Sequence, residues 1–107
     1  MKFKLPEKEI EELLNKWIQL FNELNKIHDD IDNLFLSSPE SPAVKTMYNV
    51  FYKYTELLAD KIGISDDWLG WFLWENDAGK NGYKAGIKGK MIKIKTIKDL
   101  IKMLKIT

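Results

Sequence analysis

The chain contains no cysteine, no arginine and a single histidine, His28, among its 107 residues. The absence of cysteine excludes a disulfide, a thiolate nucleophile and a thiolate zinc site, and one histidine excludes a multi-histidine metal site within one chain. No apolar run approaches the ~20 residues that span a bilayer, and the N-terminal sequence MKFKLPEKEIEE lacks the apolar region of a signal peptide. We therefore expect no metal, no other cofactor, no membrane contact and a cytoplasmic location.

A long amphipathic helix is predicted over residues 7–35. Pro6 suits its first turn, and the glutamates that follow favour the positive end of a helix. At 1.5 Å per residue the helix is ~42 Å long, so a small chain covers it only if it bends, breaks or pairs with a copy of itself. Residues 29–33 have the weakest helix propensity of this segment, so a break in the helix is most expected there. The apolar stripe repeats at spacings of four and three and comprises Ile10, Leu14, Trp17, Phe21, Leu24, His28, Ile31 and Phe35.

A loop and a second helix follow. The segment SSPESP, 37–42, predicts the loop, with Ser41 as the N-cap and Pro42 in the first turn of the helix. That helix ends at Gly63, which suits a left-handed cap, and the two helices are predicted to form an antiparallel hairpin. One face of the second helix carries Val44, Met47, Phe51, Tyr54, Leu58 and Ile62.

A third helix is capped by Ser65. Its body is almost entirely apolar from Trp68 to Trp74, and a helix that is hydrophobic all round is predicted to be buried. The glycines of AGKNGYKAG, which follow Asp77, predict turns.

The last third of the chain predicts a small hairpin and a helix. Tyr83–Ile87 and Met91–Lys95 are candidate strands, since isoleucine and lysine alternate in the second of them. Thr96 and Asp99 resemble a capping box for a short C-terminal helix. We predict a single domain of helix-dominated α+β class over 1–107, made of an acidic helical hairpin (1–63) and a module of Trp-rich helix plus basic hairpin and helix (64–107).

The net charge of +1 conceals a partition. Residues 1–79 contain 8 Lys and 15 acidic residues, a net charge of −7, whereas residues 80–107 contain 9 Lys and Asp99 as the one acidic residue, a net charge of +8. Two interpretations stay open: the lysines form a patch for phosphate or for an acidic protein surface, or they keep the hairpin soluble and face the acidic helices of the same molecule. The absence of arginine counts against specific DNA readout. The lysines concerned are Lys84, Lys88, Lys90, Lys93, Lys95, Lys98, Lys102 and Lys105.

Motifs for catalysis or metal binding are not found. His28 lies on the apolar stripe without a G-x-S-x-G or comparable motif to supply a nucleophile, which favours a structural role. The acidic residues at 29–33 lack the ligand spacing of a calcium loop, and Gly79-Lys80 and Gly89-Lys90 lack that of a phosphate-binding loop. The sequence therefore predicts a protein that is not an enzyme.

The segment that carries most information about function is DDWLGWFLWENDAGKNGYKAG, residues 66–86. In one interpretation Trp68, Trp71 and Trp74 stack bases or a nucleotide while nearby lysines bind phosphate. In the other, the tryptophans pack in the core. If the tryptophans stack a ligand, the polar residues Glu75, Asn76 and Asp77 contact its polar edges. If the tryptophans pack in the core, these three residues brace the following turn.

The pattern W-L-x-W-F-x-W-E-N-D-x-G, followed by K-A-G-x-x-G-K-M-x-x-I-K-T-I-x-D-L, resembles small proteins encoded in phage and prophage genomes of low-GC bacteria. The resemblance covers roughly residues 66–104, and Ala78 stands where it leads us to expect an aromatic residue. It implies a setting in a bacterial host, in which such accessory proteins bind and block host factors, including immune systems. It implies no catalytic residue.

Two functional hypotheses result. The first is a non-catalytic phage-type protein that antagonises a host protein or ribonucleoprotein, such as a CRISPR or nucleotide-signalling defence, either through an acidic helical surface that mimics phosphate or through the basic end. The second is a module that binds a nucleotide or single-stranded nucleic acid. A homodimer through the long first helix stays open in both.

Overall fold

The computed structural model describes residues 2–35 and 42–107, with only the backbone of Phe35. Within them the first helix, α1, spans Glu7–Phe35 without a break, and α2 spans Pro42–Ile62. The helix predictions for both segments are confirmed, including Pro42 at the first position of α2. Residues 37–41 of the predicted loop, which include the predicted N-cap Ser41, lie outside the described residues.

The end of α2 has the left-handed cap that its sequence predicts. Gly63 adopts φ +92°, and the backbone N–H groups of Gly63 and Ile64 both donate to the carbonyl of Ala59. The N-terminal segment is held to the same place, since the Lys4 N–H donates to the Ile62 carbonyl over 2.9 Å.

The tryptophan-rich segment forms a short α-helix that changes to a wider helix. The α-helix α3 spans Asp66–Gly70 with Ser65 as its N-cap, and a π-helical turn continues from Trp71 to Glu75. Its wider spacing is seen in the Asn76 N–H, which donates to the Trp71 carbonyl five residues earlier over 3.0 Å.

The C-terminal third is a two-stranded antiparallel sheet and a helix. Strand β1 (Lys84–Ile87) pairs with β2 (Lys90–Lys93) around the tight turn Lys88-Gly89, in which both residues have positive φ. The helix α4 spans Ile97–Ile106 and begins with the predicted capping box of Thr96 and Asp99. The helix-dominated α+β fold is therefore confirmed.

The core lies where α1, α2 and α4 meet under the hairpin. Trp17 stacks on Phe51 with ring centroids 6.3 Å apart, and its indole N–H donates to the Thr55 hydroxyl over 2.9 Å, so this buried polar pair is satisfied. The last buried side chain of α1 is Phe21; beyond it the described side chains of α1 are half-buried or exposed, and Asn25 and His28 lie within hydrogen-bond distance of the Tyr48 hydroxyl of α2. The far part of the helical hairpin is thus a two-helix arm.

Candidate functional site

The E-N-D-x-G segment is a turn braced by one buried side chain. Asn76 is 0% exposed; its amide nitrogen donates to the Ile94 carbonyl over 2.6 Å, and its amide oxygen accepts from the Tyr83 N–H over 2.9 Å. One side chain therefore joins the end of the Trp-rich helix to both ends of the hairpin, at a position that a bound molecule does not reach.

The residues after Asn76 turn the chain sharply. Asp77, Ala78 and Gly79 all have positive φ, and a Cβ at residue 79 would lie 1.9 Å from the Lys95 carbonyl oxygen. Only glycine fits at that position. The Asn81 side chain closes the turn by donating to the Glu75 carbonyl over 2.9 Å. Asp77 and the Glu75 side chain stay exposed.

The tryptophans flank the buried stripe of their helix. Burial falls at the helical spacing i, i+3, i+4 and i+7, on Leu69, Phe72, Leu73 and Asn76. Trp68 and Trp71 are half-buried with their rings edge to face at 6.0 Å, and Trp74 is 47% exposed. The aliphatic and phenyl side chains are thus buried, whereas the indoles, which one of the two interpretations placed in the core, are half-buried or exposed.

Trp74 belongs to an aromatic cluster on the surface. Its ring lies edge to face on Phe21 at 5.2 Å and contacts the rings of Tyr52 at 5.9 Å and Tyr48 at 6.4 Å. These contacts fix the indole while nearly half of it faces solvent. We call the opening beside it, between α2 and the Trp-rich helix, the Trp74 cleft.

The Trp74 cleft has a volume of about 420 Å³ and combines aromatic walls with carboxylates. Of the residues predicted as a site, it brings together Trp71, Trp74 and Glu75. The sequence-based prediction did not include Tyr52, which lies off the predicted apolar stripe of α2. An aromatic residue outside such a stripe is the signal that could have identified it. The lining comprises Tyr52, Thr55, Glu56, Asp66, Asp67, Gly70, Trp71, Leu73, Trp74 and Glu75.

A second cleft of about 430 Å³ lies on the other side of Trp74 and contains His28 and Tyr48. Both nitrogens of His28 are engaged: Nδ1 lies 3.1 Å from the Tyr48 hydroxyl, and Nε2 lies 3.4 Å from an Asp32 carboxylate oxygen. The Tyr48 hydroxyl donates to the Asn25 side chain over 2.9 Å. Burial, with Asp29, Tyr52 and Asp32 as further causes, raises the Tyr48 pKa above its usual value, so the hydroxyl keeps its proton at neutral pH. This chain of hydrogen bonds holds α1 to α2.

Three hairpin lysines form a separate surface, which we call the lysine face: Lys84, Lys93 and Lys95. Lys88 lies in the turn at the tip, and Lys90, opposite the buried Ile87, is on the other face of the sheet. Lys84 and Lys93 are directly opposite each other in the sheet. A side chain at Gly82 would meet both Lys93 and Lys95, at 3.1 and 3.9 Å, which places those two on the same side. Within residues 2–35 and 42–107, no carboxylate forms an ion pair with any of the five.

The lysines of α4 are placed differently. Lys105 forms an ion pair with Glu7 at the start of α1. Lys98 and Lys102 line one shallow groove with Glu7 and Glu11. The lysines of α4 therefore face the acidic helix of their own chain, as the second interpretation expects, whereas the hairpin lysines form no such ion pair within the described residues.

None of the hairpin lysines is in the lining of the Trp74 cleft. The structure thus does not join the tryptophans and lysines that the sequence suggested as one nucleotide site, and the carboxylates beside Trp74 would repel a phosphate. Among the described residues, no three His, Asp or Glu side chains are grouped to hold a metal ion. No helix in the described ranges has the length and apolar character needed to traverse a bilayer.

Comparison of the chain with protein-family models, with curated proteins and with solved structures finds no match.

Proposed function

We propose that this chain is a non-catalytic binding protein that docks on an acidic protein surface through its lysine face. The observation that carries the proposal is the cross-strand pair of Lys84 and Lys93, two like charges directly opposite each other with no carboxylate of the described residues paired to them. Like charges in this position destabilise a sheet. A partner that supplies carboxylates removes the repulsion and gains two charge pairs.

The strands that carry the lysine face are anchored to the core, which favours binding because their backbone need not be ordered on docking. Ala85 and Ile87 of β1 are buried against the core, and Ile94 after β2 is 0% exposed. Asn76 holds both ends of the hairpin through Ile94 and Tyr83. The strands therefore cannot move without disrupting the turn below them.

We propose further that the partner is a bacterial host protein or ribonucleoprotein, such as a component of a CRISPR or other anti-phage defence, which this chain antagonises in the host cytoplasm. The support is the resemblance of residues 66–104 to phage and prophage proteins. A binding role also agrees with His28, whose two ring nitrogens are engaged by Tyr48 and Asp32. A homodimer through the long first helix, α1, is compatible with this role, and light scattering coupled to size-exclusion chromatography measures it.

Affinity capture from lysate of a bacterial host, followed by mass spectrometry, tests the proposal. Deleting residues 83–107 is unsuitable, because α4 supplies Leu100, Met103 and Leu104 to the core. The informative variant is K84Q/K93Q/K95Q. Its matched control is K8Q/K16Q/K26Q, which removes the same charge from exposed positions of α1.

A protein retained by the wild type and by the control, but lost with the lysine-face variant, supports the proposal. A partner retained equally by all three contradicts docking through this face. Direct titration of the purified partner then gives the affinity at several salt concentrations. The affinity should fall as the ionic strength rises if charge pairs dominate binding.

A second candidate is single-stranded nucleic acid, favoured by one observation: Tyr83, next to Lys84, is 49% exposed. An exposed ring beside lysines is the combination that stacks a base and binds its phosphates. Fluorescence anisotropy of a labelled oligonucleotide tests it. Binding that weakens steeply with salt and is lost in Y83A favours this candidate, and no binding at low salt excludes it.

A further inference from the structure

The Trp74 cleft has a chemistry opposite to that of the lysine face. Four carboxylate side chains are in its lining, from Glu56, Asp66, Asp67 and Glu75. Glu56 pairs with Lys53 over 3.3 Å at an exposed site, while the other three form no ion pair with the residues that the structure describes. The cleft is therefore a region of negative charge next to an exposed indole, and it favours a cation.

The acidic residues of the cleft are not arranged as ligands of one metal ion. No three acidic side chains in the described part of the chain are grouped as metal ligands. A small, strongly hydrated cation needs such convergent oxygens. An organic cation differs, since its donors point in several directions and its planar or apolar part packs on aromatic rings.

The aromatic wall is built to stay in place. Trp74 is held edge to face on Phe21 at 5.2 Å and beside Tyr52 at 5.9 Å, yet remains 47% exposed. Trp71 is half-buried on the same lining. An indole fixed by its neighbours offers its surface to a cation with little loss of side-chain freedom.

We propose that the Trp74 cleft binds an arginine side chain of a partner protein. The guanidinium group stacks on the indole of Trp74 and donates hydrogen bonds to carboxylates in the lining of the cleft. Two of these carboxylates are Asp67, before the tryptophans in the sequence, and Glu75, after them. Lysine is the weaker ligand, because its ammonium group is a compact, strongly hydrated charge that does not stack.

This site shares no residue with the lysine face, and its occupancy does not depend on the function proposed above. A partner that presents acidic residues to the hairpin and an arginine to the cleft engages both surfaces. Failure of one proposal is distinguishable from failure of the other, because K84Q/K93Q/K95Q leaves the cleft unchanged and cleft variants leave the hairpin unchanged.

The test uses the full chain labelled with ¹⁵N and the capped tripeptide Ac-Gly-Arg-Gly-NH₂ as the probe. We expect saturable NMR shifts of the indole N–H signals of Trp71 and Trp74, and none at Trp17, whose indole is buried on Thr55. The shorter, neutral probe Ac-Gly-Gln-Gly-NH₂ should cause no such shifts. Equal shifts with the glutamine probe overturn the proposal, and so does their absence with the arginine probe.

The double variant D67N/E75Q removes two charges of the cleft without changing side-chain size. We expect it to weaken binding of the arginine probe about fivefold, which corresponds to ~1 kcal/mol. The matched control E9Q/E12Q removes two exposed charges of α1 outside the lining and should leave the affinity unchanged. Equal weakening by the control means a general charge effect and overturns the site.

Two further probes decide the ligand class. Ac-Gly-Lys-Gly-NH₂ should bind more weakly than the arginine probe, and equal or tighter binding contradicts the assignment to arginine. Spermidine tests a free polyamine as the occupant. If spermidine shifts Trp71 and Trp74 at lower concentration than the arginine probe, the cleft is a polyamine site and the proposal of a protein side chain is overturned.

Discussion

The side-chain amide of Asn76 donates to the main-chain carbonyl of Ile94 over 2.6 Å, at a place where both residues are 0% exposed. Substitution by alanine removes the partner of this buried carbonyl and of the partly buried Tyr83 N–H. We expect N76A to lower the free energy of unfolding by about 2–4 kcal/mol, measured by urea denaturation, because each unsatisfied buried group costs about 1–3 kcal/mol.

The matched control for that substitution is N81A. Asn81 also donates from its side chain to a backbone carbonyl, that of Glu75, but at an exposed position where water replaces the lost bond. We expect N81A to cost less than about 1 kcal/mol. Similar losses in the two variants would show that the buried brace contributes no more than a surface hydrogen bond.

Gly79 and Gly70 give a pair of opposite predictions. At Gly79 φ is +94° and a new Cβ would meet the Lys95 carbonyl oxygen at 1.9 Å, whereas nothing lies within 4 Å of a Cβ at Gly70 in the helix. G79A should destabilise the fold by more than about 2 kcal/mol. G70A should stabilise it by about 0.5–1 kcal/mol through helix propensity. Thermal unfolding followed by circular dichroism measures both signs.

The opposed lysines of the hairpin predict an effect of salt on stability. Replacing Lys93 by glutamate turns a repulsive pair with Lys84 into an attractive one, so K93E should raise the free energy of unfolding by about 0.5 kcal/mol at low salt. The gain should shrink in about 1 M NaCl, where the Debye length is ~3 Å.

K90E is the control for K93E, since Lys90 is opposite Ile87 and has no charged cross-strand partner. Unfolding in urea at two salt concentrations compares the variants. A gain of the same size in K90E would mean that the total charge of the hairpin matters and the opposed pair does not.

Asp99 predicts a dependence of stability on acid pH. Burial alone would raise the pKa of its carboxyl, but the hydrogen bonds from the backbone N–H groups of Lys95 and Thr96 and from the Thr96 side chain, with the charge of Lys102, lower it overall. The pKa is therefore lower in the folded than in the unfolded chain, so the ionised carboxylate stabilises the fold above about pH 4, and this contribution is lost as the pH falls through the folded-state pKa.

Removing that carboxyl should flatten the acid side of the stability profile. We expect wild type to exceed D99N in melting temperature at pH 7, with the difference decreasing below about pH 4. Asp30→Asn, at an exposed position of α1, is the control. A difference between wild type and D99N that stays constant down to pH 2 would contradict a role for the ionised cap.

The elements of this fold were predictable because each has a local signal. The apolar period of α1, Gly63 at the end of α2 and the Thr96–Asp99 capping box each depend on residues close in sequence, and the structure confirms them. The π-helical turn after Trp71 had no such local signal, since the buried residues Leu69, Phe72 and Leu73 keep the i, i+3, i+4 spacing of an ordinary α-helix.

The candidate site was only partly predictable for the same reason. Trp71, Trp74 and Glu75 were singled out from their segment, but Tyr52 and Glu56 come from α2 and reach the cleft only through the helix packing. Asn76 stood among the candidate ligands in one interpretation and among the residues that brace the turn in the other. Its partner Ile94 lies 18 residues away, and a separation of that length has no sequence pattern.

The brace at Asn76 and Gly79 also affects what a shared motif means between two chains. Selection that keeps W-E-N-D-x-G intact keeps the hairpin closed over the core, whatever the protein binds. Exposed positions such as Lys93 and Glu75 carry no comparable folding constraint, so they are free to diverge as partners change. Two related chains would then share the same turn while binding different molecules. Similarity in this segment would therefore indicate a shared fold more reliably than a shared activity.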